Sequence, residues 1–175
     1  MDDKRISVAV LLDMTKAFDS IQHDILIAKL RAIVISSAAQ TWFNSYLSNR
    51  KQVVRIGNVF SQPLDLTFGV PQVSILGPVL FTLYINDLLS VPNHCLTVGY
   101  VDDTNLTLPP TQPADAITLL NDDLREVTKW CCRNSLLLNP DKTKVLVFGV
   151  PQLKKKPTEF ICNRSGKEDR ACRYC

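Results

Sequence analysis

The sequence predicts an α+β fold, with helices packed on one face of a mostly antiparallel sheet. Three features carry that expectation. Ile6-Ser7-Val8-Ala9-Val10-Leu11-Leu12 is a nearly continuous apolar run with β-branched residues, as expected of a central strand buried on both faces. Leu96 to Val101 and Thr104 to Leu108 are two apolar runs joined at Asp102-Asp103, the pattern of a hairpin. Ile117, Leu120, Leu124, Val127 and Trp130 recur at spacings of three and four, the period of an amphipathic helix.

The remaining elements follow in order. After the first strand, His23 to Val34 reads as a helix with Ile25, Leu26, Leu30 and Ile33 inward, and Asp19-Ser20 offers a capping residue before it. A second helix is expected from Ser37 to Leu47, with Trp42, Phe43, Tyr46 and Leu47 as an apolar face that belongs in the core rather than on a base-stacking surface. Lys51 to Ile56 and Val59-Phe60 flank the two-residue turn Gly57-Asn58 of a hairpin. A loop rich in Gly and Pro, Gly69 to Pro78, then feeds a buried helix from Pro78 to Leu89. Pro109-Pro110 precedes the long amphipathic helix, in which Asp122 and Asp123 fall outside the apolar stripe. Leu136 to Leu138 and Thr143 to Phe148 are short strands around Asn139-Pro140-Asp141-Lys142.

Length, charge and cysteines narrow the class. A chain of 175 residues with 46% hydrophobic and 21% charged content can bury a globular core. We expect one domain over residues 1–150 and a basic, disordered tail over 151–175. The tail holds seven Lys and Arg against three acids, hence +4, so the total of +3 leaves −1 on the rest. A body that close to neutral is not a nucleic-acid binder by charge alone. No run is long and apolar enough to span a membrane, and the polar start is not a signal peptide. The six cysteines are expected as free thiols; Cys162, Cys172 and Cys175 lack the fourth ligand a zinc knuckle needs.

Three carboxylates draw attention. Asp13 ends the first strand, where a charge needs water, a partner or a metal. A helix cap or a salt bridge would satisfy it equally well. Asp102-Asp103, taken alone, reads as a solvated hairpin tip. Together, however, three carboxylates at adjacent strand ends repel unless a divalent cation lies between them. Mg²⁺ takes oxygen ligands and keeps substrate phosphates in its shell, and a pair of such ions can clamp an in-line phosphoryl transfer.

Seven motifs then occur in order: Leu12-Asp13-Met14-Thr15-Lys16-Ala17-Phe18-Asp19, Trp42-Phe43-Asn44-Ser45-Tyr46-Leu47, Gly69-Val70-Pro71-Gln72, Ile75-Leu76-Gly77-Pro78, Tyr84-Ile85-Asn86-Asp87-Leu88, Tyr100-Val101-Asp102-Asp103, and Leu138-Asn139-Pro140-Asp141-Lys142-Thr143-Lys144. Over residues 6–150 the chain resembles the reverse transcriptase of non-LTR (LINE-type) retrotransposons, in particular the jockey type. The resemblance implies a polymerase palm and RNA-directed DNA polymerase chemistry with two Mg²⁺ ions, an RNA template, a DNA primer and a dNTP. It implies metal binding by Asp13 and Asp102 with Asp103 in support, Phe18 as the steric gate beneath the incoming sugar, and Gln72 against the incoming nucleotide. Lys142 takes the place of a general acid to the leaving pyrophosphate, with Lys144 as a near competitor.

The chain also departs from that pattern. Val73 stands where the family carries Gly, which lets backbone lie close to nucleotide or template. Val34-Ile35-Ser36-Ser37-Ala38-Ala39-Gln40 lacks the family's two glycines, and burying the Gln40 amide without a partner would cost about 1–3 kcal/mol. The family's fingers and thumb are expected to be truncated here, so that activity of this chain alone is not expected. The alternatives are a decayed retrotransposon-derived protein, or a non-catalytic module whose basic tail binds nucleic acid or a protein partner.

Overall fold

The computed structural model describes residues 5–33, 35–71 and 74–149. In chain order the elements are β1 (Ile6–Leu12), β2 (Met14–Thr15), α1 (His23–Ala32), α2 (Ser37–Leu47), β3 (Lys51–Gln52), β4 (Arg55–Ile56), β5 (Val59–Phe60), β6 (Leu64–Asp65), α3 (Leu76–Ile85), β7 (Leu96–Tyr100), β8 (Asp103–Thr111), α4 (Pro113–Arg133), β9 (Leu137–Leu138) and β10 (Lys144–Gly149). They form two compact units. One combines residues up to Ala17 with those from Ile85 onward, and the other is Phe18–Tyr84.

The first unit is built on a four-stranded sheet of order β10-β1-β8-β7, antiparallel throughout. As expected, the apolar run 6–12 is central. Its alternate residues Val8, Val10 and Leu12 are buried beside Leu106 and Leu108 of β8. Against them packs α4, whose Ala116, Leu120, Val127 and Trp130 are buried. The opposite sheet face carries Leu11 of β1 with Leu96, Val98 and Tyr100 of β7, all exposed.

Two details of this unit differ from expectation. Strand β8 runs on through Pro109-Pro110 to Thr111. Its pairing with β1 shifts register between Ile6 and Val8, and this irregularity accommodates residues that cannot donate to a ladder. Asp123 lies not on the solvent face of α4 but within its apolar stripe, 1% exposed. It sits three residues after Leu120 and four before Val127, so the helical period itself turns it inward. Its Oδ1 accepts from the backbone N–H of Asn93 (2.9 Å), and its Oδ2 accepts from His94 (2.9 Å) and Cys95 (2.7 Å). Trp130 Nε1 donates to Asp87 Oδ2 at 3.2 Å, a second tie between α4 and the segment preceding β7.

The second unit packs α1, α2 and α3 around Ile21, Leu26, Leu30, Leu47, Leu80 and Phe81. Helix α1 begins after Gln22 without a side-chain cap, because Asp19 and Ser20 are taken up in a 3₁₀ turn at Ala17–Ser20. The face of α2 departs most from expectation: Leu47 is buried, but Trp42 is 51% exposed and stacks on Tyr46 instead of entering the core. The Gln40 amide is satisfied, donating from Nε2 to the Ile35 carbonyl at 3.0 Å. Of the expected hairpin, Arg55–Ile56 pairs with Val59–Phe60 as β4 and β5, whereas Lys51–Gln52 pairs beyond it with Leu64–Asp65 as β3 and β6.

Two cysteines are free and buried, Cys95 and Cys131, whereas Cys132 is disulfide-bonded and corrects the expectation of six free thiols. Among the described residues no helix is long and apolar enough to cross a membrane. The tail 151–175 lies outside the described residues.

Candidate catalytic centre

The carboxylates gather at one end of the sheet in the first unit, and strand register explains why. Leu12 pairs with Thr104 and Tyr100 with Asp103. The β1–β8 ladder ends at Leu12–Thr104, so Asp13 follows the last paired residue of β1, Asp103 precedes that of β8, and Asp102 lies in the turn between β7 and β8. Alternation sets Asp13 and Asp103 on the same side as Leu11 and Asn105, away from the α4 core. Asp13 is half-buried, and Asp102 and Asp103 are exposed.

The turn is strained. Val101 has φ +55°, a left-handed conformation in a β-branched residue. A two-residue hairpin needs a positive φ at its first central position, which Gly ordinarily supplies. Here valine holds that angle immediately before Asp102, as strained residues tend to do at functional sites.

Lys142 is brought to Asp13 by its own turn. Asn139 Oδ1 accepts from the Asp141 N–H at 3.1 Å, and the Asn139 carbonyl accepts from both the N–H (3.0 Å) and the hydroxyl (2.8 Å) of Thr143. The Asn139 N–H donates to the Asp13 carbonyl at 2.8 Å, so the turn is anchored on the Asp13 backbone. Lys142 Nζ then stands 4.0 Å from Asp13 Oδ2. Lys144, the competitor, pairs with Leu11 one step further down the sheet. Among the described residues no group of three or more His, Cys, Asp or Glu side chains is close enough to hold a metal ion. The donor chemistry nevertheless suits a hard cation: oxygen ligands only, open to solvent, with one exposed ammonium near Asp13 that a stronger charge can displace.

The other expected residues fall in the second unit. Phe18 stacks on Phe81, ring centroids 4.7 Å apart. Its carbonyl accepts from the Val70 N–H at 3.0 Å, while the Gly69 N–H donates to the Ile21 carbonyl at 2.7 Å. Gly69 has φ +84°, and a Cβ there would come within 3.2 Å of the Asp19 backbone and 3.3 Å of the Phe18 carbonyl. Gly69 therefore lets its loop lie directly on the segment that bears Phe18. Gln72 and Val73 lie outside the described residues.

Sequence patterns shared across proteins point the same way. Residues 1–167 match the model of the reverse transcriptase (RNA-dependent DNA polymerase) family. The chain belongs to the reverse transcriptase family. The probable RNA-directed DNA polymerase from transposon BS of Drosophila melanogaster is 35% identical over 149 residues, 81% of this chain and 16% of that relative. The RNA-directed DNA polymerase from mobile element jockey of the same organism is 25% identical over 158 residues, 85% of this chain and 17% of its own length. The chain thus spans about a sixth of the length of the curated relatives it matches. In fold it is similar to apo telomerase from Candida tropicalis truncated from its C-terminal domain, with TM-score 0.63 at 13% identity, covering 84% of this chain and 32% of that one. The expected palm-like α+β fold and the non-LTR resemblance both hold.

Sequence reasoning missed Asp123. Its signal was its position in the apolar stripe of α4, which the charge of the residue obscured.

Proposed function

We propose that this chain is the palm of an RNA-directed DNA polymerase, spanning residues 1–150, in which Asp13, Asp102 and Asp103 bind two Mg²⁺ ions and Lys142 serves the leaving group. The observation that carries this reading is the convergence of Asp13, Lys142 and the strained Tyr100–Asp103 turn at one end of a single sheet. When bound, Mg²⁺ neutralises charge on the phosphoryl oxygens of a dNTP and lowers the cost of ionising a primer hydroxyl. The chain's own residues do the rest. Asp13 follows the last residue of β1, and Asp102 lies in the two-residue turn between β7 and β8, so each carboxylate is offered at the end of the sheet. Asp103, next to the last paired residue of β8, adds negative charge that favours cation over ammonium. Lys142 holds a proton near the site of pyrophosphate departure, and the network through Asn139 keeps it there. Phe18, set by its stacking on Phe81 and by the Gly69 loop, selects a sugar lacking the 2′-hydroxyl. The resemblance assigns Gln72 to the incoming nucleotide, and Val73 stands where the family carries Gly. An RNA template and a DNA primer complete the substrate set.

The test uses Mn²⁺ as a paramagnetic stand-in. Titration of the full chain followed by electron paramagnetic resonance is expected to show Mn²⁺ binding that Asp102→Asn weakens by about tenfold or more. In a chain restored with fingers and thumb, the same substitution abolishes Mg²⁺-dependent extension of a DNA primer on an RNA template. Extension that survives Asp102→Asn, or Mn²⁺ binding indifferent to it, removes the assignment.

A further inference from the structure

We propose that Trp42, Tyr46 and Arg50, all in the second unit, form a stacking platform for single-stranded nucleic acid that uses none of the carboxylate residues. The proposal rests on the reading that this chain handles nucleic acid, but not on its catalysing anything.

Trp42 and Tyr46 lie one helical turn apart on α2, so their side chains meet on the same face. Their rings are nearly parallel, 10° between planes, with centroids 5.5 Å apart. Phe43 meets Trp42 edge-on at 5.1 Å and braces it. Arg50, just past the helix end, places its guanidinium over the Tyr46 ring at 5.1 Å. Asn49, with φ +57°, turns the chain back at that point so that Arg50 can reach. The result is a continuous ladder of indole, phenol and guanidinium, about half of its indole open to solvent. Burying two rings in the core would have stabilised α2 more than leaving them at the surface. The exposed face therefore calls for an occupant.

Charge selects that occupant. From Asp24 to Asp65 the sequence contains no Asp or Glu, while Lys29, Arg31, Arg50, Lys51 and Arg55 lie between; Lys51 pairs with Asp65 at 3.7 Å, and the cation placed at the ladder is Arg50. The chemistry recurs downstream, where Arg55 sits 5.4 Å over the exposed Phe60 ring. Aromatic faces interleaved with arginine, in a stretch devoid of acids, match what bases and phosphates of an unpaired strand require. An apolar protein partner would use the rings but not the charge. A duplex would use the charge but not the rings, since its bases are already stacked.

Fluorescence anisotropy of end-labelled oligouridylate and oligothymidylate of about twelve nucleotides, with the full chain in Mg²⁺-free buffer, tests this. Both strands are expected to bind with similar affinity, because stacking is indifferent to the sugar. Trp42→Ala weakens binding about tenfold or more, whereas Trp42→Phe, which keeps a ring face, stays within about threefold. Arg50→Gln weakens binding and lowers the slope of log affinity against log salt by about 0.7. The basic tail contributes equally to all variants and to a duplex, so the difference between variants is the readout. Binding is read without Mg²⁺ and without primer extension, so its failure and the failure of the catalytic assignment are read in separate experiments. Trp42→Ala binding as tightly as the parent, a duplex binding as tightly as single strands, or a ladder that instead holds two copies of the chain together would each overturn it.

Discussion

At Val101 a single backbone angle carries information about the site. A valine at φ +55° costs about 1–3 kcal/mol, and glycine removes most of that cost. Val101→Gly is therefore expected to stabilise the chain by about 1 kcal/mol, read as a shift of the urea midpoint with unchanged slope; a destabilised variant would show that the turn is not under strain. Strain is not visible in the string Tyr100-Val101-Asp102-Asp103, which reads as an ordinary acidic turn. Asp13 is different: its place at the end of a buried run already marked it, and the pairing of Leu12 with Thr104 converts that mark into a position at the end of the β1–β8 ladder. Lys142 was legible only through resemblance. The network that delivers it to Asp13 depends on Asn139 and Thr143, whose roles are backbone hydrogen bonds that no periodicity encodes.

At the scale of elements, α4 is the support on which the centre's hairpin rests. Asp123 ties it to the three N–H groups just before β7, and β7 leads in five residues to the strained turn. Replacing Asp123 by Ala leaves the buried Cys95 N–H and the partly buried N–H groups of Asn93 and His94 without this acceptor, and is expected to cost about 3 kcal/mol. Asp123→Asn keeps the shape but loses acceptor capacity at one or more donors, for about 1–3 kcal/mol. Denaturant melts measure both, and amide exchange at Asn93, His94 and Cys95 checks the mechanism: protection there must fall before protection in β1. Equal loss everywhere would mean that Asp123 is only one core residue among many. The elements themselves were largely legible, because β1 and α4 have strong apolar periods. The surface of α2 was not. Periodicity says which residues share a face, but not whether another element covers that face, and Trp42 is left 51% exposed among the described residues.

Across the whole molecule, buried thiols set how the fold responds to alkali. Burial pushes the Cys131 thiol up to about 12 from an ordinary 9.0. Burial does the same at Cys95, helped by the Asp123 carboxylate beside it. Below pH 9 each thiol is neutral whether the chain is folded or unfolded, and pH has no leverage through it. Between pH 9 and about 12 the unfolded chain ionises while the folded one does not, so unfolding releases protons and stability falls as pH rises. The fall reaches about 1.4 kcal/mol per pH unit for each thiol at most. Stability measured by urea at half-unit steps from pH 8 to 11 is expected to be flat to about pH 9 and to decline above it. Cys131→Ala lowers stability at every pH through the cavity it leaves, yet flattens the decline, since one of the two ionisations has gone. The slope, not the level, carries the test. A slope unchanged by Cys131→Ala would mean that Cys131 meets solvent before the fold opens, contrary to its 2% exposure on the inner side of α4.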